Sequence, residues 1–280
     1  VGRAMGNNGV FGNLGVASAP VITALLVTQA GWRWAFLVPA AAALVLGLMW
    51  LREPPYDARL HVKNARPFPQ IPPAIVRQAV ISLMLMAVAS GFVFNAFTLL
   101  IPKLMQERMA DSPSLLPLVG ALAFTATLFG GLTQFTVGRM IDRTTLKRVF
   151  LPLALALVPA LLALSFLRGW AVLPVAALAA AAIFGQVTVN ETMTARYVAP
   201  ALRAKLYSLR FFVGFLGAAA ASPAIGYLHD TFGNLGLTLM VLSAFACITL
   251  ACALLFPDRP EELNPALWTG SAATPAVAAE

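Results

Sequence analysis

Of the 11 aspartates and glutamates in this chain, Glu191 alone lies inside a long apolar stretch. A carboxylate there either pairs with a cation or exchanges a proton, because an unpaired charge in apolar surroundings is too costly to keep. Arg196 and Arg210 are the nearby cations, so an interfacial ion pair and a gating or proton role are both open. Asp142 stands in a different setting, among Arg139, Arg143, Lys147 and Arg148 just after Gly138. It is either a solvated loop charge neutralised by Arg143 or a latch that receives amides at the start of a facing helix. Neutral polar residues interrupt other apolar runs. Asn95 sits beside Phe94 in Ser90–Phe97, Gln186 and Asn190 stand four apart on one helical face, and Thr125 and Gln134 share another run. Each reads as the wall of a solute cavity or as an interhelical hydrogen bond worth about 1 kcal/mol.

Groups that would make an enzyme are missing. His61 and His229 have no neighbours of ligand or catalytic spacing, and Cys247 and Cys252 suit neither a redox pair nor a zinc site. There is no Walker loop, HExxH or dinucleotide fingerprint. The expectation is a protein that is not an enzyme and needs no metal or cofactor.

The elements that carry these residues follow from composition. Apolar residues make up 60% of the chain and charged ones 11%, against roughly 45–50% and about 25% in soluble domains. Mean hydropathy is +0.82. Apolar segments run over Val10–Thr28, Trp34–Leu51, Arg77–Ile101, Leu115–Val137, Val149–Leu167, Val172–Thr192, Leu206–Leu228 and Leu235–Phe256. Each is about the length needed to cross a bilayer as a helix. The breaks are short and hold Gly31, Gly169 and Gly233. Trp32, Trp34, Trp50 and Trp170 fall at segment ends, where the headgroup level favours such rings. An all-α membrane protein of eight spans is expected.

The net charge of +8 does not point to nucleic acid, because the basic residues sit in short clusters between apolar blocks. If the spans alternate, every Lys and Arg but Arg33, Lys103, Arg108 and Arg168 falls on one side. By the positive-inside rule that side is cytoplasmic, and both chain ends lie there. The bilayer is thus a partner, and a multi-pass protein of the plasma membrane (a bacterial inner membrane) is the expected location. Arg52–Pro73 is rich in proline and mixed charge and reads as a linker between halves. Pro257–Glu280 reads as a disordered tail. The expected division is 1–51, a central cytoplasmic loop at 52–76, a six-helix unit at 77–256 and the tail at 257–280. The chain opens at Val1 on a polar, glycine-rich stretch, which reads as a cut through a longer protein.

The first segment slides over the seventh. Gly12, Gly15 and Gly31 fall on Gly214, Gly217 and Gly233, and Pro20 lands one residue before Pro223. Glycines let helices approach closely in lipid, and proline frees a carbonyl and bends the helix. Two copies imply two related halves.

Two motifs resemble a known family. Gly138-Arg139-Met140-Ile141-Asp142-Arg143-Thr144-Thr145-Leu146-Lys147-Arg148 resembles the G-x-L-a-D-R-x-G-R-K-x loop of the major facilitator superfamily, departing at Thr145 and Leu146. The run Gly9-x-x-Gly12-x-x-Gly15-x-x-x-Ala19-Pro20, with Gly31–Phe36 after it, resembles the glycine- and proline-rich fifth helix of the family's antiporters. The stretch Ala199–Phe211 resembles bacterial drug-efflux members of the fosmidomycin-resistance type. The resemblance implies the major facilitator fold with eight of twelve helices present, the fifth to the twelfth. It makes Asp142 a latch onto the start of the first segment, at Gly6–Gly9, and it places Asn95 in a helix lining the central cavity. The function implied is transport of a small organic solute by alternating access, as efflux by proton antiport, by a monomer. A non-transporting sensor or scaffold and an uptake symporter are the alternatives. No mid-membrane acid is found, so a protonation site is expected in the four helices outside this chain.

Overall fold

A computed structural model describes residues 2–53, 68–108 and 119–268. They form eight α-helices and no strand. In chain order these are α1 (Gly2–Ala30), α2 (Trp34–Trp50), α3 (Pro73–Arg108), α4 (Val119–Ile141), α5 (Leu146–Phe166), α6 (Val172–Tyr197), α7 (Pro200–Phe232) and α8 (Gly236–Leu255). Seven are long and apolar enough to cross a membrane. The remaining one, α2, is equally apolar but has 17 residues, the lower limit for crossing. Helix is the form these segments must take, since hydrocarbon offers no partner to an unpaired amide or carbonyl.

The helices outrun the apolar segments that announce them. α1 starts at Gly2 rather than Val10, α3 at Pro73 inside the expected 52–76 loop, and α7 at Pro200 rather than Leu206. Hydropathy falls at the first polar residues, but the backbone ladder continues through Asn7, Asn8, Arg203 and Lys205. Most of the remaining linker, 54–67, lies outside the described residues. The turns are where glycine put them. Gly31, Gly169 and Gly233 have φ of 92°, 68° and 69°, a left-handed backbone that other residues adopt only at a cost.

α3, α4, α5, α6 and α8 interlock into a bundle, with α7 laid along α3 and α1 along α4. Side chains fill two clusters stacked along the bundle. One gathers Met86, Phe150, Tyr197 and Phe256, and the other Phe97, Leu161, Phe184 and Leu239. Polar bonds tie each end of the bundle. At one end Gln78 Nε2 donates to Leu255 O at 2.6 Å and Lys147 Nζ to Leu254 O at 2.7 Å. At the other, Arg108 Nη2 donates to Ser165 O at 2.9 Å and the Leu235 amide to Glu107 Oε1 at 3.2 Å. The helices therefore alternate in direction as the charge pattern expects.

The tail expectation needs correction over 257–268. Two short 3₁₀ turns, Pro260–Glu262 and Pro265–Trp268, fold back on the bundle. Glu262 is buried there. Its carboxylate accepts from the Leu146 amide at 2.9 Å, from Arg196 Nη1 at 3.3 Å and from the Tyr197 hydroxyl. Thr145 precedes α5 but makes no capping bond to it, so the tail carboxylate receives the first amide of that helix instead. Burial pushes the Glu262 carboxyl above the usual carboxylate range, against the pull of its Tyr197, Leu146 and Arg196 partners. Trp268 meets the Tyr197 ring edge-on, centroids 6.4 Å apart. Composition suggested disorder because it counts few apolar residues. It could not see that one buried acid finds three donors. Residues 269–280 lie outside the described set.

Glu262→Ala leaves the Leu146 amide and the Tyr197 hydroxyl without their acceptor, at roughly 1–3 kcal/mol for a buried group left unpaired. Thermal unfolding in detergent is expected at a clearly lower temperature. Arg148→Ala breaks only a 3.7 Å pair with Asp258 between well-exposed side chains, and its unfolding temperature is expected to stay near the native value.

Candidate functional site

A cavity of about 320 Å³ opens between the two side-chain clusters, walled by α3, α5, α6, α7 and α8. Its polar wall is Asn95, Gln186, Asn190, Glu191 and Arg210, and its apolar wall includes Phe94, Phe211 and Phe215. α6 supplies Gln186 and Asn190, four apart on one face, with Glu191 beside them. α3 and α7 come together where both lack side chains: a Cβ on Gly91 would stand 2.7 Å from Gly214 O, and one on Gly217 2.9 Å from Val88 O. That approach brings Arg210 to the cavity.

Arg210 is 8% exposed. Its Nη2 donates to Glu191 Oε1, and its guanidinium lies 5.0 Å and 5.2 Å from the ring centres of Tyr207 and Phe211. Glu191 thus takes Arg210 as its partner rather than Arg196. Asn95 Nδ2 donates to Gly91 O at 2.9 Å, within its own helix. Gln186 Nε2 and Asn190 Oδ1 are buried without a hydrogen-bond partner. Phe94 packs edge-on against Phe184, centroids 5.2 Å apart. Thr125 does not join them. It is exposed on α4 and its hydroxyl donates to Ala121 O.

The second group forms at the contact of α1 with α4. Asp142 Oδ1 accepts from the Gly2 amide at 2.8 Å and Oδ2 from the Arg3 amide at 2.9 Å. The helix is the expected one, and the bonds fall one turn before Gly6–Gly9. Burial pushes the Asp142 carboxyl up, but the Arg3 and Gly2 amides together with the chain's N-terminal charge hold it below its ordinary 3.8. Arg143 is exposed, whereas Arg196 brings its Nη2 to 4.0 Å from Oδ1. Arg196 also donates to Ile141 O at 2.7 Å and to Glu262, so one guanidinium joins the Asp142 loop to the tail. Its role was hidden in sequence because Glu262 is distant in the chain, although an arginine ending an apolar helix was a usable signal.

Small residues bring α1 onto α4. A Cβ on Gly6 would stand 2.7 Å from Gln134 O, and one on Gly138 2.6 Å from Gly2 O. Asn13 follows, buried, donating to Thr127 O at 3.1 Å. Ala17 is the last buried residue of α1 among those described. The glycines of the repeat divide. Gly214 and Gly217 pack on α3, while nothing among the described residues comes within 4 Å of a Cβ at Gly12 or Gly15. Pro20 and Pro223 lie within α1 and α7, and Pro223 is exposed.

Gly138→Val forces α4 away from the α1 backbone and is expected to lower the unfolding temperature. Gly120→Val, at a site with open space, is expected to leave it unchanged. The Asp142 contact has a pH signature as well. A carboxyl held below 3.8 contributes stability that is complete above that value and is lost as pH falls through its lower folded pKa. Hydrogen exchange in the first turn of α1 is therefore expected to stay slow down to about pH 4 and to accelerate only below it.

Comparison with known proteins agrees with this architecture. The family model of the Major Facilitator Superfamily matches residues 1–132 and again residues 111–278. No curated protein matches the chain.

Proposed function

Because this chain belongs to the Major Facilitator Superfamily, a family of multi-pass membrane transporters, we propose that it moves a small, partly apolar organic solute by alternating access. The cavity between α3, α6 and α7 holds the solute, with Phe94, Asn95, Gln186 and Asn190 as its wall. One observation carries the reading: α1 meets α4 from Gly2 to Ala17 and buries no described residue beyond. A contact that ends midway along α1 is what a gate requires. It consists of glycine packing, two hydrogen bonds to a loop carboxylate and one from Asn13 to Thr127 O. Such a joint separates with little repacking of the core, to which α1 contributes Val16. The Asp142 end carries most of the cations and is taken as cytoplasmic, with both chain ends there and a bacterial inner membrane as the location.

Two couplings to protons are in play. Efflux by antiport rests on the glycine and proline pattern of α1. Symport is favoured by a different observation, the Glu191–Arg210 pair facing the cavity. A monomer suffices for either, since the cavity is walled within one chain.

Asp142→Asn is expected to slow transport several-fold while expression and folding stay near native, measured as solute flux into vesicles holding the full-length protein. Equal losses of flux and expression would dismiss the gate. A full-length protein that moves no solute under either polarity of proton gradient would favour the sensor or scaffold reading.

A further inference from the structure

Among the described residues lining the cavity, Arg210 is the one cation and Glu191 the one anion. We propose that the solute is a small organic anion with an apolar body, held by Arg210 in place of Glu191, and that a proton travels with it on Glu191. This rests on the transport reading above and names its substrate class.

The argument is one of charge in a low-dielectric chamber. The Glu191–Arg210 pair is neutral as a whole, and each partner is tolerable there because of the other. A neutral solute leaves the pair intact and gains nothing from it. A cation would bring the chamber to a net positive charge. An anion can take the guanidinium, but it strands Glu191, and a carboxylate that loses its counter-ion in such surroundings binds a proton. Empty, the site holds Arg210 positive and Glu191 negative. Loaded, it holds Arg210 positive, the solute negative and Glu191 neutral. Charge balances in both states only if one proton accompanies each anion, so the two are carried in the same direction.

Two features of the wall fit such a ligand. Gln186 is 2% exposed and its Nε2 donor has no partner; a buried idle donor is rare and calls for a ligand or water acceptor. The guanidinium lies beside the Tyr207 and Phe211 rings, and its planar fork suits a two-oxygen acceptor such as a carboxylate, sulfonate or phosphonate. Phe94 and Phe215 offer the apolar surface. The titratable groups facing Glu191 are Arg210 and Tyr207, both from α7. α3 and α8 present Ser90, Asn95 and Thr249 to the chamber, none of which changes charge. Arg196 on its own helix is engaged by Glu262.

The test uses the full-length protein in detergent and in vesicles, with probes of one apolar body: the anions benzenesulfonate, benzoate and phenylphosphonate, neutral benzenesulfonamide, and cationic benzyltrimethylammonium. At least one anion is expected to raise the unfolding temperature, and the neutral and cationic probes to leave it unchanged. Benzenesulfonate stays ionised throughout, so with one proton taken up per anion its affinity is expected to fall as pH rises, by at most about ten-fold per pH unit. Glu191→Gln, which copies the protonated acid, is expected to bind it equally well at low and high pH. Arg210→Gln should abolish binding, and Arg210→Lys should weaken it while keeping the fold. Stabilisation by none of the anions, equal stabilisation by all charge types, or pH-independent binding to the native protein would overturn the proposal. Flux separates the two readings. Anion binding with the expected pH slope but no proton movement under a benzenesulfonate gradient keeps the site and removes the transport. Flux of the neutral probe without anion binding keeps the transport and removes this substrate.

Discussion

The guanidinium of Arg196 holds together the end of the molecule on which the rest depends. It donates to the last carbonyl of α4, to the tail carboxylate of Glu262, and it faces Asp142 at 4.0 Å. Asp142 in turn receives the first amides of α1, and Glu262 receives the first amide of α5. Four elements and the tail therefore meet through one cation and two acids. Arg196 thereby links the docked tail to the contact between α1 and α4.

That contact has its form because lipid removes the usual drive for helices to pair. Between apolar helices in hydrocarbon, close packing and polar bonds decide association. α1 and α4 meet where glycines let backbone touch backbone, at Gly2, Gly6 and Gly138. α3 and α7 use the same means at Gly91 and Gly214. The two joints differ in what they carry. The first ends in a loop carboxylate outside the bundle, and the second presents a buried ion pair to a cavity. The two joints are thus built from one packing device.

Much of this was legible in the chain itself. Class, helix number and alternation were open to reading because composition, hydropathy and charge are local quantities that add along the sequence. Gly31, Gly169 and Gly233 ended helices as their residue type requires, and Asp142 could be assigned a partner helix through its loop motif. Other features misled for a physical reason. Gly12 and Gly15 have the spacing of packing glycines, yet the stripe that meets α4 is Gly2, Gly6 and Asn13, on another face of α1. Thr125 is polar and mid-helix like Asn95 and bonds its own backbone as Asn95 does, yet it lies on an exposed face away from the cavity.

The sequence by itself determined that the chain must form apolar helices, where they turn and which ends share a side, since an unsatisfied backbone in lipid leaves no other form. Only the tertiary structure decided which face of each helix turns inward. A rotation of 100° per residue makes neighbours in sequence strangers in space, so spacing cannot say that Glu191 meets Arg210 rather than Arg196. Nor could it say that a tail poor in apolar residues would seat Glu262 among three donors. Asp142 received its amides, and Glu191 its cation, from the packing of helices far apart in the chain.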